Sequence, residues 1–174
     1  LSFDKAKAQV VARYKKDRWE NVVVRNKIFD EYYDILGLEF GARDEVLTWA
    51  NNHVKANLDK RFILLTHEFL GRDGEIIGKD SYAEKQLRNT SWNSPQHVWD
   101  KLVKCNNNIL CVLCGHNGFS KMRLATNEAG REEPQILFNL QYQENGGDGM
   151  IEIWEAAQNS DSISVGIYNT LKNE

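Results

Sequence analysis

The chain has 174 residues, 41% of them hydrophobic, which suits one globular domain with a substantial core. Its formal net charge of -3 gives no positive field that would gather nucleic acid, so nucleic acid is not expected as a partner. No apolar stretch approaches the length of a membrane span, so no membrane-spanning segment is expected either.

The N-terminal part of the sequence predicts a helix followed by two strands. Apolar residues within residues 4–19 fall near helical spacing, with lysines and arginines between them, which favours a leading surface helix within residues 1–19. Residues 22–24 and 32–38 are rich in β-branched and aromatic residues and predict strands.

Two further helices are predicted, separated by a long polar segment. Residues 43–57 have amphipathic spacing, with Asp44 and Glu45 in the favoured first turn. A second helix is expected to open with Ser94 as N-cap and Pro95 as the first helical residue. The polar residues 68–93 show little periodicity, and a loop of this length is usually functional.

Two short apolar runs are each followed by a histidine. Residues 62–66 precede His67, and residues 109–115 precede His116. Continuous apolar runs of this length are typical of strands buried on both faces of a parallel sheet, and the alternation of strands and helices supports that arrangement. Because ligands bind beyond the carboxyl ends of parallel strands, both imidazoles are expected at one sheet edge, where they suit a transition metal.

The last third of the sequence predicts an antiparallel meander. Residues 135–142, 150–155 and 162–168 are strand-like runs, joined by turns at residues 146–149 and 159–161. The glycine-rich first turn lacks the Lys-Ser/Thr ending of a phosphate-binding loop, so a hairpin turn is expected there. The predicted fold class is α/β in the broad sense, or α+β: a βαβ parallel layer followed by this meander.

The three cysteines do not form a disulfide framework. Cys111 and Cys114 have the spacing of a zinc knuckle or redox pair, but they lie within an apolar strand run, where residues three apart point to opposite faces. They are therefore expected to be small buried hydrophobic residues.

Five segments in a fixed order carry a family resemblance. They are residues 36–50, 64–68, 114–116, 135–143 and 146–150. In this combination the chain resembles the C-terminal half of a calcineurin-like metallophosphoesterase, over roughly residues 32–171. The resemblance implies half of a four-layer sandwich, in a single domain over residues 1–174 from which the N-terminal metal-ligand half is absent. Leu1 in the place of an initiator methionine favours the same interpretation.

The resemblance implies hydrolysis of phosphate mono- or diesters. Two divalent ions (Mn, Fe or Zn), about 3.5–4 Å apart, bind the phosphoryl oxygens and activate water in such sites. His67 and His116 are implied as ligands of one metal. Glu68, Asn117 and Arg72 are candidates for orienting the ligands or contacting the substrate.

The chain also departs from the family pattern. The Asp-x-His and bridging-aspartate motifs do not occur in residues 1–66. The Asn-His pair in that region, Asn52-His53, lies within the predicted helix of residues 43–57, where the histidine is expected to be structural or exposed, and the second histidine of Gly-His-x-His is replaced by Gly118. Two imidazoles are fewer than the three protein ligands usual in a catalytic zinc site, so the isolated chain is expected to be inactive or weak, with its metal lost or weakly bound. The alternatives are a non-catalytic interaction module and a site completed by an N-terminal half on another chain. Self-association through unpaired strand edges is a further expectation.

Overall fold

A mixed seven-stranded sheet organises the chain. The computed structural model describes residues 9–28, 30–78, 91–156 and 163–172. The elements in chain order are β1 (Val10–Arg13), β2 (Val22–Ile28), β3 (Glu31–Gly37), α1 (Asp44–Lys55), β4 (Phe62–Leu65), α2 (Pro95–Val98), a π-helical continuation (Trp99–Val103), β5 (Ile109–Cys114), β6 (Phe119–Thr126), β7 (Glu132–Asn139), a 3-10 turn (Glu144–Gly146), β8 (Met150–Ala156) and β9 (Ile163–Asn169).

The strand order of the large sheet is β1-β2-β3-β4-β5-β7-β6. The neighbours from β3 to β7 run parallel, whereas β1, β2 and β3 form an antiparallel meander and β6 runs antiparallel to β7. Strands β8 and β9 form a separate antiparallel pair. The fold is thus α+β, and the predicted parallel layer is confirmed.

The main hydrophobic core lies between one face of this sheet and the two helices. Val46, Ala50 and Val54 of α1 are fully buried, as are Phe62 and Leu64 of β4. They belong to one continuous cluster of buried apolar side chains. Both the amphipathic helix and the buried strand predicted from periodicity are therefore confirmed.

The predicted start of the second helix is also confirmed. The side chain of Ser94 accepts a hydrogen bond from the backbone N–H of His97, and the His97 side chain accepts one from the backbone of Ser94. Pro95 follows as the first helical residue. These caps satisfy backbone donors that have no partner inside the helix.

The cysteines are free thiols, and two of them are buried. Burial raises the pKa of Cys111 to about 12 and the pKa of Cys114 to about 11. Cys114 belongs to the main core, while Cys111 faces the groove on the other side of the sheet. Both behave as small hydrophobic residues, as predicted.

The predicted leading helix is wrong in the part of the chain that the structure describes. Residues 10–13 form strand β1, in which Val10 pairs with Val24 and Arg13 pairs with Val22. The β-branched residues of the two strands suit this pairing, and the backbone hydrogen bonds go to β2 rather than along a helix. Residues 1–8 lie outside the described residues.

The predicted three-stranded meander is also wrong in part. Strand β7 lies inside the large sheet, between β5 and β6, and only β8 and β9 pair as expected. The glycine-rich turn at residues 146–149 therefore connects two sheets instead of closing a hairpin. Gly146, Gly147 and Gly149 all have positive φ there, which glycine adopts at little cost. The predicted turn at residues 159–161 lies outside the described residues.

The second face of the large sheet borders an apolar groove. Trp154 and Val165 of the β8–β9 hairpin line this groove together with Ile35, Ile63 and Ile136 of the large sheet. The groove leaves Met122 on the edge strand β6 62% exposed. No helix within the described ranges has the length and apolar character needed to cross a membrane.

Glu133 provides a test of how the sheet tolerates a buried carboxyl group. Its side chain is fully buried and neither oxygen has a hydrogen-bond partner, while the nearest cation, Nη2 of Arg131, is 3.7 Å away. Burial raises the pKa of Glu133 to about 8. The folded chain therefore keeps this proton between about pH 4.5 and pH 8, where the unfolded chain releases it, so stability falls as pH rises through that window.

We expect Glu133→Gln to remove this pH dependence. Between pH 5 and pH 8 the wild type should lose on the order of 2 kcal/mol more unfolding free energy than the variant, measured by urea denaturation. Glu132→Gln, at the exposed neighbouring position, should follow the wild type. If the wild type and Glu133→Gln lost the same unfolding free energy between pH 5 and pH 8, the prediction would be contradicted.

Candidate functional site

The two histidines meet at the carboxyl ends of β4 and β5. His67 follows β4 and His116 follows β5, and these strands are parallel neighbours. Nε2 of His67 lies 3.1 Å from Nδ1 of His116, and the ring centroids are 4.6 Å apart. The expectation that both imidazoles lie at one edge of the sheet is confirmed.

A tight backbone turn presents His116. Its φ is +64°, and the N–H of Asn117 donates to the carbonyl of Gly115 at 2.8 Å, which is the pattern of a γ-turn with positive φ at its centre. The carbonyl of His116 accepts hydrogen bonds from Asn139 Nδ2 (2.6 Å) and Gln141 Nε2 (3.3 Å). A non-glycine residue with this backbone conformation costs on the order of 1–3 kcal/mol of folding free energy. Residues held in such strained conformations are often found at functional sites.

The surroundings of His67 favour its neutral form. Burial lowers the pKa of His67, His116 lowers it further, and the nearby Glu68 opposes both effects. A neutral imidazole has the lone pair that a metal or a hydrogen-bond donor needs. The predicted role of Glu68 in orienting an imidazole stays a prediction: Glu68 is 7% exposed and its buried Oε2 has no hydrogen-bond partner.

The distance between the two imidazole nitrogens is compatible with a shared metal. Two nitrogen ligands at about 2.05 Å from a tetrahedral zinc ion lie about 3.3 Å apart, close to the 3.1 Å in this structure. A direct N–H···N hydrogen bond between neutral rings has a similar length, and the tautomers decide between the two. Within the described residues, no group of three or more histidine, cysteine or acidic side chains could hold a metal. The described part of the site therefore brings together two imidazole nitrogens.

Asn117 and Arg72 have different places near the histidines. Asn117 Nδ2 donates to the carbonyl of Leu70 at 3.0 Å, so it ties the His116 turn to the loop after β4. The guanidinium of Arg72, in that loop, lies 5.3 Å from the centre of the Tyr142 ring. Asn117 thus holds backbone together, whereas Arg72 places a cation beside the site.

Phe40, an aromatic residue that the sequence analysis missed, packs against the histidine pair. The ring of Phe40 meets His67 edge-on at 5.2 Å and also lies 6.0 Å from Trp92. Gly41 has a φ of +62°, and a Cβ added there would lie 2.1 Å from the Trp92 ring. Phe40 could have been found by the rule that found His67, since it follows the end of the parallel strand β3.

Tyr142 lies against the turn on the other side. A Cβ added to the buried Gly118 would lie 2.9 Å from Cδ2 of Tyr142. Gly118 is the position where the resemblance places a second histidine. No signal in the sequence linked Tyr142 to this position, because the two residues are 24 positions apart and meet only in the fold.

The chain is similar to the uncharacterized protein YvnB of Bacillus subtilis (strain 168), with 28% identity over an alignment of 174 residues. This alignment covers 96% of the chain and 12% of the length of YvnB. No protein-family model matches the chain, and no solved structure matches it.

Proposed function

We propose that this chain is the histidine-bearing part of a metal-dependent phosphoesterase, with His67 and His116 as ligands of one divalent ion, Mn, Fe or Zn. The observation that carries the proposal is the convergence of the two imidazole nitrogens to 3.1 Å at the carboxyl ends of parallel strands. The order of motifs that resembles the C-terminal half of calcineurin-like metallophosphoesterases, with its half of a four-layer sandwich, supports the same function.

The proposed activity needs more ligands than the described residues supply. Divalent ions would supply Lewis-acid activation of a phosphate ester and of water when bound. His67 and His116 provide two ligands, and Gly118 cannot provide a third. The remaining ligands would come from outside the described residues, so the chain alone should hydrolyse phosphate mono- or diesters weakly or not at all.

Metal titration tests the first step of this proposal. Calorimetry of metal-free protein with Mn²⁺ and Zn²⁺ should show about one ion bound per chain. A His67→Ala, His116→Ala double variant should bind at least about tenfold more weakly, because both nitrogen donors are gone.

His97→Gln is the matched control for that titration. It removes an imidazole outside the pair, and glutamine suits the third position of a capping box as histidine does here. Its metal binding should equal that of the wild type. Equal binding by the double variant and the wild type would refute a histidine-based site.

The protonation of His67 gives a second test. We expect His116→Asn to raise the pKa of His67 toward its ordinary value of about 6.5, measured by NMR of the imidazole resonances. Loss of the neighbouring ring removes one cause of the lowered pKa, while burial remains and keeps it below that value. Asparagine tolerates the positive φ of position 116 better than most residues.

The lowered pKa of His67 in the wild type has a consequence for metal binding. Because imidazole binds metal in its neutral form, the lowered pKa of His67 lets it act as a ligand at a lower pH than an exposed histidine would. A His67 pKa that stays the same or falls in His116→Asn would contradict the coupling between the rings.

A non-catalytic interaction module is the second candidate function. The observation that favours it is the second face of the large sheet, where Leu65, Met122 and Leu124 remain 48–62% exposed although Trp154 and Val165 cover part of the groove. Exposed apolar clusters of this kind mark sites of association between proteins. Self-association, or pairing with a complementing N-terminal half, would cover this face.

Light scattering tests the self-association. The wild type should form larger species as its concentration rises, and Met122→Lys, which puts a charge on the exposed edge strand, should reduce them. Leu58→Lys is the control, since Leu58 is 73% exposed and does not line the groove. A wild type that remains monomeric at high concentration would contradict the prediction.

A further inference from the structure

Tyr142 takes the space that a side chain at position 118 would need. The 2.9 Å between an ideal Cβ of Gly118 and Cδ2 of Tyr142 is shorter than real contacts of this kind. A histidine at position 118 would therefore have to displace the tyrosine ring. The neighbouring Gln141 donates to the carbonyl of His116, which holds this part of the chain against the histidine turn.

Arg72 lies over the same tyrosine ring. Its Cζ is 5.3 Å from the ring centroid, within the range of a cation–π contact. The contact places a positive charge one side chain away from the turn that carries His116. The contacts from Gly118 to Tyr142 and from Tyr142 to Arg72 thus put a guanidinium beside the turn that carries His116.

A short turned loop positions Arg72. Leu70 pairs with Ile76 across the turn, and the N–H of Gly71 donates to the carbonyl of Glu75 at 2.8 Å. Gly74 has a φ of +86°, which closes the turn. The amide of Asn117 donates to the carbonyl of Leu70, so this loop is tied directly to the His116 turn.

The charge of Arg72 is not neutralised within the described residues. None of their carboxylates pairs with it, whereas Arg123 forms an ion pair with Glu75 of the same turn. Asp73, the carboxylate next in sequence, accepts a hydrogen bond from the N–H of Glu75 instead. The guanidinium is exposed and presents five N–H donors in a planar fork, the geometry that binds phosphoryl oxygens in pairs.

We propose that Arg72, held on the ring of Tyr142, is a binding site for the phosphoryl group of a phosphate ester beside the His67–His116 pair. The identity of the ligand as an ester rests on the proposed function, whereas binding of the phosphoryl anion requires only the guanidinium. Tyr142 is a positioning residue: its ring supports Arg72 and fills the space above Gly118. A fixed cation thereby stands next to the position at which the family pattern has a further metal ligand.

Calorimetry of the metal-free chain with inorganic phosphate and with phenyl phosphate tests this site. Arg72→Gln should weaken binding about tenfold or more, because both the charge and the paired donors are lost. Arg72→Lys should restore part of the affinity, since lysine keeps the charge but not the fork. Tyr142→Phe should bind like the wild type, and Tyr142→Ala should bind more weakly because the platform for the guanidinium is gone.

Arg18→Gln is the control for charge. Arg18 is an exposed arginine whose side chain pairs with Glu20, and the substitution changes the net charge by the same amount as Arg72→Gln. Equal weakening in both variants, or no saturable binding of either anion by the wild type, would overturn the proposal. Tighter binding of phenyl phosphate than of inorganic phosphate would identify an ester as the ligand. Binding of both with equal affinity, lost in Arg72→Gln, would show that the site recognises only the phosphoryl group.

The phosphate titration and the metal titration test the two proposals independently, so either proposal can be refuted while the other stands. Phosphate binding that depends on Arg72, without metal uptake, would support the anion site and refute the histidine metal site. Metal binding that depends on His67 and His116, with phosphate binding unaffected by Arg72→Gln, would refute the anion site alone.

Discussion

Backbone hydrogen bonds between parallel strands continue past the strand ends and into the candidate site. The N–H of Leu38 donates to Leu65, the N–H of Thr66 to Leu113, and the N–H of Gly115 to His67, at 3.0, 3.0 and 3.1 Å. The main chain of His67 is therefore part of the same ladder that holds the turn of His116. A slip of one residue in this register would move the buried side chains of a strand to the opposite face, so core packing and site geometry are specified together.

The site combines a rigid backbone with a small set of chemically active side chains. Three side-chain amides donate hydrogen bonds to backbone carbonyls at and beside the His116 turn; they belong to Asn139, Gln141 and Asn117. None of these three hydrogen bonds involves an imidazole. This arrangement stabilises the unfavourable φ of His116 and leaves its ring to face His67. Under the two proposals, the two imidazoles and the guanidinium of Arg72 would be the groups that act on a ligand.

Under the proposed function, two features of the described structure would be incomplete. The histidine pair would supply two of the three or more protein ligands that a catalytic metal needs. The second face of the large sheet carries exposed apolar side chains that the β8–β9 hairpin covers only in part. Additional protein, from a longer polypeptide or another chain, would complete both under the proposed function.

The sequence by itself determined the features that depend on local patterns. These patterns extend over only a few residues: the amphipathic spacing of α1, the Ser94–Pro95 start of α2 and the continuous apolar runs of β4 and β5. Because the carboxyl ends of parallel strands lie at one edge of a sheet, the two apolar runs also predicted that His67 and His116 lie together. Tertiary structure decided what depends on distant partners. Val10 and Val11 lie in a strand because β2 offers hydrogen bonds across the chain, and β7 enters the large sheet because β5 and β6 pair with both of its edges. The contacts of Phe40 with Trp92 and of Tyr142 with Gly118 and Arg72 likewise arise only when the chain folds, since nothing in a local pattern specifies which distant side chains meet.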